Sequence, residues 1–415
     1  MQKVLAMILA GGRVGELSVL TQYRPKSAIP FGGLYRVIDC PLSNLMHSGI
    51  EKVGILSQYR PYSLMNHIGQ GAPWDMVGRS RGITMLPPFQ GHKASDWYKG
   101  TADAIFQNLG FIDYHKPDLV LVLSGDHIYK MDYLPMINFH LEKQADMTAA
   151  FVQVDPREAP RFGLAGIDDE SETGGQIRLY QEKPAETDFT WASMTIYLFR
   201  PEALRDVLEN NARNDSHEFG RDIIPEMLRN RRVYGYKYRG YWSYSQRIEE
   251  YWQANMHILG RKPEIRLSEW KLRTNLDHRA IRDRQPAVLG KEASVENTSF
   301  CNGCRIHGRV ENSVLFPGVE IGKNTTVRNS VLFFDTVIRE GCLLNGVISD
   351  VDVTVGSGTT IGSGNNPGAP GTITVIGRSA EIPPGMVIGQ GATIYPDLKA
   401  ERFSAKEIPS GASVQ

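Results

Sequence analysis

The sequence has no apolar run approaching the roughly eighteen residues of a membrane-spanning helix, so no bilayer crossing is expected. Nor has it an excess of charge, since 46 Lys plus Arg stand against 46 Asp plus Glu. Without a bulk positive field, nucleic acid and anionic membrane surfaces are not expected partners. Cysteine is scarce, at four residues, and Cys301-Asn-Gly-Cys304 is a lone CxxC without the second pair that a zinc site of this type uses. No disulfide framework is implied, and a reduced, cytoplasmic compartment is the expectation. One Lys and seven apolar residues precede the first glycines, too short and unflanked a segment for a secretory leader. What is present is ordinary: 41% hydrophobic and 22% charged residues over 415 positions, a length that points to two domains.

Val4 to Ala10 reads as a strand buried on both faces, and Gly11-Gly12 breaks it at once into a loop with almost no side chains. Such a loop lets backbone N–H groups close on a phosphate; a plain tight turn would read the same. Fourteen residues on, Lys26 stands next to Pro25 and near Pro30, a single cation in a stiffened segment. Up to about residue 260, apolar strands (Val53–Ser57, Leu119–Leu123, Thr148–Val154, Met194–Phe199) alternate with amphipathic helices (Leu42–His47, Ala102–Leu109, Glu249–Leu259). That alternation predicts a mostly parallel sheet covered by helices, with ligands beyond the carboxyl ends of its strands. Residues 261–290 are rich in Arg and lack apolar periodicity, and read as a solvated interdomain linker. From 291 to 415, Asn312-Ser-Val-Leu-Phe316 returns seventeen residues later as Asn329-Ser-Val-Leu-Phe333, with a looser echo at Asn345-Gly-Val-Ile348. With Ile321-Gly322, Val355-Gly356 and Ile361-Gly362 at near-hexapeptide spacing, this predicts a β-solenoid.

Several motifs follow predicted strands, where chemistry is expected. Ser124-Gly125-Asp126-His127 puts a carboxylate at a strand end, suited to Mg2+ beside nucleotide phosphates, although an Asp capping a helix would look alike. Trp97-Tyr98-Lys99-Gly100-Thr101-Ala102-Asp103-Ala104 offers a cradle for a base or sugar, or simply a helix start. Glu182-Lys183-Pro184 presents an ammonium suited to a sugar phosphate; an isolated surface lysine is the plainer reading.

In order, LAGG, LTQYRPKSAIPFGGLYRVIDCPLSN, LPPFQ, WYKGTADAI, SGDHIYKMDY, RFGLAGID, YQEKP, SMTIY, EFGRDIIP and GYW resemble the motifs of the ADP-glucose pyrophosphorylases, or glucose-1-phosphate adenylyltransferases. The resemblance covers essentially the whole chain. It implies a Rossmann-like α/β nucleotidyltransferase domain over 1–260 followed by a C-terminal left-handed parallel β-helix. It also implies ATP and glucose 1-phosphate as substrates, ADP-glucose and pyrophosphate as products in glycogen or starch synthesis, Mg2+ as cofactor, and an allosteric tetramer whose effector is not named by the sequence. By the same resemblance Gly11 and Gly12 approach the nucleotide, and Lys26 neutralises phosphates. Gln90 and Gly100 border the nucleotide, Tyr98 lines the cleft, and Asp126 holds the metal. Glu182, Lys183 and Ser193 receive the sugar phosphate.

The sequence departs from that family where the chemistry needs most help. The family loop Gly-Gly-x-Gly-Thr-Arg-Leu is here Gly11-Gly12-Arg13-Val14-Gly15-Glu16-Leu17, so Val14 replaces a glycine and Glu16 an arginine. One unit charge pair at about 5 Å with an effective dielectric near 20 is on the order of 3 kcal/mol, so the reversed sign matters. After GYW, Tyr244 stands in place of the second metal-binding aspartate, with Glu249 and Glu250 on the helix that follows. Thr195 replaces the glycine of SMGIY, Glu218 an aspartate, and Tyr23 a lysine linked to activator binding. The expectation is a subunit with weak or no catalysis of its own, regulatory to an active homologue in a homo- or heterotetramer. An active enzyme with an altered metal site, a transferase making another sugar nucleotide, a solenoid acyltransferase using His307, and a non-enzymatic nucleotide-sugar binding module are the alternatives.

Overall fold

Val4–Leu9 forms a strand, β1, whose four central residues are buried, as a strand covered on both faces must be. The computed structural model describes residues 2–12, 14–89, 97–168, 171–362 and 367–415. It divides into two units: Met1–Gly12, Cys40–Pro61 and Ile68–Trp242 make the first, and Arg13–Asp39, Tyr62–His67 and Ser243–Gln415 the second. The division is not linear in sequence: the segment that carries Lys26 belongs with the solenoid unit.

The first unit is built on a nine-stranded sheet. After β1 come β2 (Lys52–Leu56), β3 (Gly82–Leu86), β4 (Leu119–Ser124), β5 (Met147–Gln153), β6 (Gly163–Ile167), β7 (Gly174–Glu182), β8 (Trp191–Phe199) and β9 (Val233–Tyr238). They lie in the order β3-β2-β1-β4-β8-β5-β9-β7-β6. The expected parallel character holds for β3, β2, β1 and β4, and for β5 with β9. Elsewhere the sheet is mixed: β8 is antiparallel to β4 and β5, and β7 to β9 and β6. The connection from β6 to β7 is too short for the crossover that parallel neighbours need, so β7 folds back on β6. One core of aliphatic and aromatic residues, including Leu5, Met7, Val120, Val122, Phe151 and Phe199, packs helix Thr101–Gln107 and helix Pro201–Asn211 on the sheet. Among the described residues no helix is long and apolar enough to cross a membrane.

The second unit contains the solenoid, a left-handed parallel β-helix whose coils form three parallel sheets of six, seven and seven short strands. Its register is the repeat read from the sequence: Val314 pairs Val331 and Leu315 pairs Leu332, each seventeen positions apart. Ile306, Ile321, Ile338, Val355 and Ile382 line one inner face, and Val310, Val327, Leu344, Ile361 and Ile388 a second, all buried. Asn297, Asn312 and Asn329 turn the corner with positive φ, a conformation asparagine tolerates better than most residues. Their side chains form a ladder, Asn297 donating to Asn312 at 2.9 Å, Asn312 to Asn329 at 2.6 Å and Asn329 to Asn345 at 2.8 Å. All four cysteines are free thiols, and burial pushes Cys301 up to about 12 and Cys304 upward.

Candidate functional site

The ends of β1 and β4 lie side by side, with Leu9 opposite Ser124 and the Gly125 N–H donating to the Leu9 carbonyl at 2.9 Å. Here Gly11 is a glycine for a steric reason: a Cβ would sit 2.9 Å from the Gln58 backbone nitrogen. A Cβ on Gly12 would meet nothing within 4 Å, so this glycine has the open side that a ligand contact with its backbone needs. Asp126 follows β4, where its Oδ1 accepts from the Ser124 hydroxyl and lies 3.5 Å from His127 Nε2. Trp242 donates its indole N–H to His127 Nδ1 at 3.2 Å. That bond makes Nδ1 the acceptor and leaves the ring proton on Nε2, turned towards Asp126. Sequence reasoning quoted Trp242 only as part of GYW and gave it no role; its separation of 115 residues from His127 hides the contact.

Around β7 and β8 the sugar-phosphate candidates assemble differently. Tyr180 donates to Glu182 Oε2 at 2.9 Å, and Ser193 shares a 3.1 Å hydrogen bond with Tyr197. Burial raises both phenols, Tyr197 to about 12 and Tyr180 well above the usual range, so both stay neutral donors. Gly163 and Gly220 make room: a Cβ on either would come within 3 Å of Glu182 Oε2 and press on the Tyr180 hydroxyl. Lys183 is exposed, with a positive φ of 47° and its N–H on the Phe162 carbonyl at 3.0 Å. Glu182 and Ser193 are thus brought into one tyrosine-bridged cluster, while the Lys183 ammonium stands at its surface.

Tyr98 and Gly100 have strong packing reasons for their identity. Tyr98 donates its hydroxyl to the Leu86 carbonyl at 2.9 Å and receives Asn108 at 3.0 Å, and its N–H donates to Gln58 Oε1 at 2.7 Å. A Cβ on Gly100 would lie 2.3 Å from the His217 carbonyl. Glu218, a departure from the family, accepts from the Thr101 hydroxyl at 2.6 Å and from its N–H at 3.3 Å, which places a carboxylate at the start of helix Thr101–Gln107. Gln90 lies outside the described residues.

In the second unit, residues Gly15–Thr21 form a 3-10 turn with Leu17 and Leu20 buried and Glu16 exposed. The Thr21 hydroxyl holds the Val14 carbonyl at 2.7 Å, so the altered loop is a pinned turn. Lys26 is only 2% exposed. Its ammonium donates to the Tyr244 carbonyl and lies 4.6 Å from the centroid of the Tyr244 ring. A cation so placed is stabilised by carbonyl and ring quadrupole together. Of the two nearby glutamates, Glu250 accepts from the Gln246 N–H at 3.0 Å as a helix cap and Glu249 from the Gly371 N–H at 2.7 Å.

Among the described residues no group of three or more His, Cys, Asp or Glu is arranged to hold a metal. Asp126 offers a carboxylate just beyond the end of β4, a donor that fits Mg2+ when phosphate oxygens complete the coordination.

Also in the second unit lies a buried charge cluster that sequence reasoning missed. Arg24 Nη2 donates to both oxygens of Asp350 at 2.5 and 2.7 Å, with the two side chains 6% and 1% exposed. Arg36 donates to the Ala28 carbonyl at 2.9 Å and Ser63 at 2.8 Å, and its N–H to Asp39 Oδ2 at 2.9 Å. Asp39 Oδ1 in turn meets His67 Nε2 at 2.6 Å. Burial, then the neighbouring Arg24 charge, lowers Arg36 to about 10. The signal available in sequence was slight, two cations flanking a proline in Arg24-Pro25-Lys26.

Comparison with known proteins adds two kinds of likeness. The family pattern described as nucleotidyl transferase matches residues 5–261, and that of a GlmU-like C-terminal hexapeptide matches residues 285–370. A glucose-1-phosphate adenylyltransferase of Acetivibrio thermocellus is 38% identical, covering 100% of this chain and 98% of the relative. Proteins of the same name from Thermotoga neapolitana and Clostridium perfringens (strain 13 / Type A) are each 42% identical, the first over 99% of this chain and 98% of its own length, the second over 88% and 92%.

Proposed function

The chain belongs to the glucose-1-phosphate adenylyltransferase family, and from that premise we propose that it is a subunit of ADP-glucose synthesis for glycogen or starch with weak or no turnover of its own, regulatory to an active homologue in a tetramer. Its ligands are ATP, glucose 1-phosphate and ADP-glucose. The family reaction is in-line attack by a phosphate oxygen of the sugar phosphate on the α-phosphorus of ATP, with pyrophosphate leaving. In that reaction the protein positions and neutralises charge. Gly11 and Gly12 approach the nucleotide, Tyr98 and Gly100 border it, and Glu182, Ser193 and Lys183 receive the sugar phosphate. Bound Mg2+ would spread the negative charge of the phosphates, held by Asp126 together with their oxygens.

The observation that carries the reading is the seat of Lys26. Its ammonium is already paired with the carbonyl and ring of Tyr244, the residue that stands where the family has a metal-binding aspartate. Glu16, exposed on its 3-10 turn, adds a negative charge where the family has a positive one. Glu16 lowers the positive charge available to an ATP phosphate and Tyr244 withholds a metal ligand, and each 1.4 kcal/mol of stabilisation so lost is about tenfold in rate.

The test is pyrophosphate release from ATP, glucose 1-phosphate and Mg2+ by the purified chain, beside calorimetry with ATP and ADP-glucose. Binding with no turnover is expected, and Glu16→Arg with Tyr244→Asp should raise turnover by at least about a hundredfold. Turnover of the unaltered chain at ordinary enzyme rates, roughly 1–1000 per second, would overturn the reading in favour of an active enzyme with an altered metal site.

A further inference from the structure

We propose that Asp350, on the solenoid, is a positioning residue for Lys26, acting through Arg24. The proposal rests on the reading of Lys26 as the cation that Tyr244 withholds from the phosphates, but its test reads the lysine itself and not catalysis.

Lys26 is buried, so the path of its backbone decides where its ammonium can go. The chain after it is fixed by several bonds: Ile38 N–H to the Ser27 carbonyl at 2.9 Å, Arg36 to the Ala28 carbonyl at 2.9 Å, Val37 N–H to the Ile29 carbonyl at 3.1 Å, and the Tyr251 hydroxyl to the Pro30 carbonyl. Before it stands Pro25, extended at φ −68° and ψ 158°, a stiff one-residue spacer. Arg24 comes next, and its guanidinium is gripped by both oxygens of Asp350. The Asp350 carboxylate is itself oriented, since Oδ1 also accepts the Val351 N–H at 2.7 Å. A displacement of the coil that bears Asp350 is therefore passed through Arg24 and a rigid proline to Lys26.

Charge arithmetic makes Asp350 the needed partner. Arg24 lies close enough to disfavour the Arg36 charge, and both are buried. Two carboxylates balance them, but Asp39 is engaged by the Arg36 N–H and by His67. Removing the Asp350 charge leaves Arg24 buried, without its bidentate acceptor and beside a like charge, the arrangement a protein tolerates least. Arg24 would move towards water, and the Pro25–Lys26 peptide with it. A merely stabilising ion pair would lower the melting temperature without selectively exposing Lys26.

The experiment acylates lysines of the full-length chain with a water-soluble acetyl ester and reads each site by peptide mass spectrometry. Asp350→Asn should raise the rate at Lys26 about tenfold or more, because local opening limits the reaction of a buried amine. Exposed Lys291 and Lys323 should not change, nor should Lys237, buried on β9 of the other unit. Arg24→Asp combined with Asp350→Arg rebuilds the pair and should return Lys26 to within about threefold of the unaltered rate. An unchanged Lys26 rate in Asp350→Asn, or an equal rise at Lys237, would overturn the proposal. Should Asp350→Asn fail to fold, the exchanged pair decides, and a tenfold faster Lys26 there overturns it. ATP affinity measured on the same samples tests the functional reading separately: loss of binding with unchanged Lys26 labelling, or the reverse, tells the two apart.

Discussion

At position 195 a threonine occupies backbone that branched side chains avoid. Its φ is +53°, inside a stretch of β8 where the register against β5 slips between Ser193 and Tyr197. The family glycine at this place has a physical reason, since only glycine enters the left-handed region without cost. Threonine there costs about 1–2 kcal/mol, while glycine's extra freedom in the unfolded chain returns about 0.5–1. The Thr195 side chain also hydrogen-bonds Tyr197, worth about 1 kcal/mol, so Thr195→Gly should change stability by less than about 1 kcal/mol in denaturant titration, and a larger loss would mean that this bond outweighs the strain. The position drew notice in the sequence. Its strain was not legible there, because the bulge depends on pairing with another strand. Tyr244 repeats the lesson: the position drew notice in the sequence, but its contact with Lys26 across 218 residues could not be read there.

At the scale of elements, periodicity carried the reading furthest. Asn312-Ser-Val-Leu-Phe316 and its copy at Asn329 determine register, because a constant repeat buries the same positions on every coil. The β1 strand and its Gly11 break were equally plain, since a short apolar run followed by glycines leaves few options. The antiparallel strands β6, β7 and β8 were not, as single-strand patterns say little about direction. The asparagine ladder was visible as a repeat but not as a hydrogen-bonded stack. Asn329 sits in its middle, donating to Asn345 and accepting from Asn312. Asn329→Ala removes both bonds, at about 1 kcal/mol each, and adds the cost of alanine at positive φ. A loss of about 2–3 kcal/mol is expected in equilibrium unfolding. Asn329→Asp keeps an acceptor for Asn312 but loses the donor to Asn345, and should fall between the two. Equal stability of Asn329→Ala and the unaltered chain would show that the ladder is incidental to the fold.

For the whole molecule, the two units interleave in sequence, and within the second a buried charge pair joins distant segments. Arg24 and Asp350 are 326 residues apart, and no local pattern announces such a pair. The same burial leads us to expect an acid-sensitive protein. His140, 1% exposed, hydrogen-bonds Thr148 at 2.9 Å, and burial followed by the Arg200 charge lowers it from 6.5 to about 4, against a smaller opposing effect of Asp146. His278 is lowered to about 4 by burial, Arg36, His67 and Arg279, and His67 is lowered chiefly by burial against the opposing pull of Asp39. A histidine kept neutral in the fold binds its proton less readily than in the unfolded chain. Below pH 6.5 the unfolded state then takes up more protons, and stability falls until the folded value near 4 is reached. For His140 alone, the fall between pH 6.5 and 5 is on the order of 2 kcal/mol, taking 1.36 kcal/mol per unit. His140→Leu removes that group, so its denaturant midpoint should drop less between pH 7 and pH 5 than that of the unaltered chain. Identical pH slopes for the two would mean that His140 already titrates near its unfolded value and that the acid sensitivity lies in the His67 and His278 cluster.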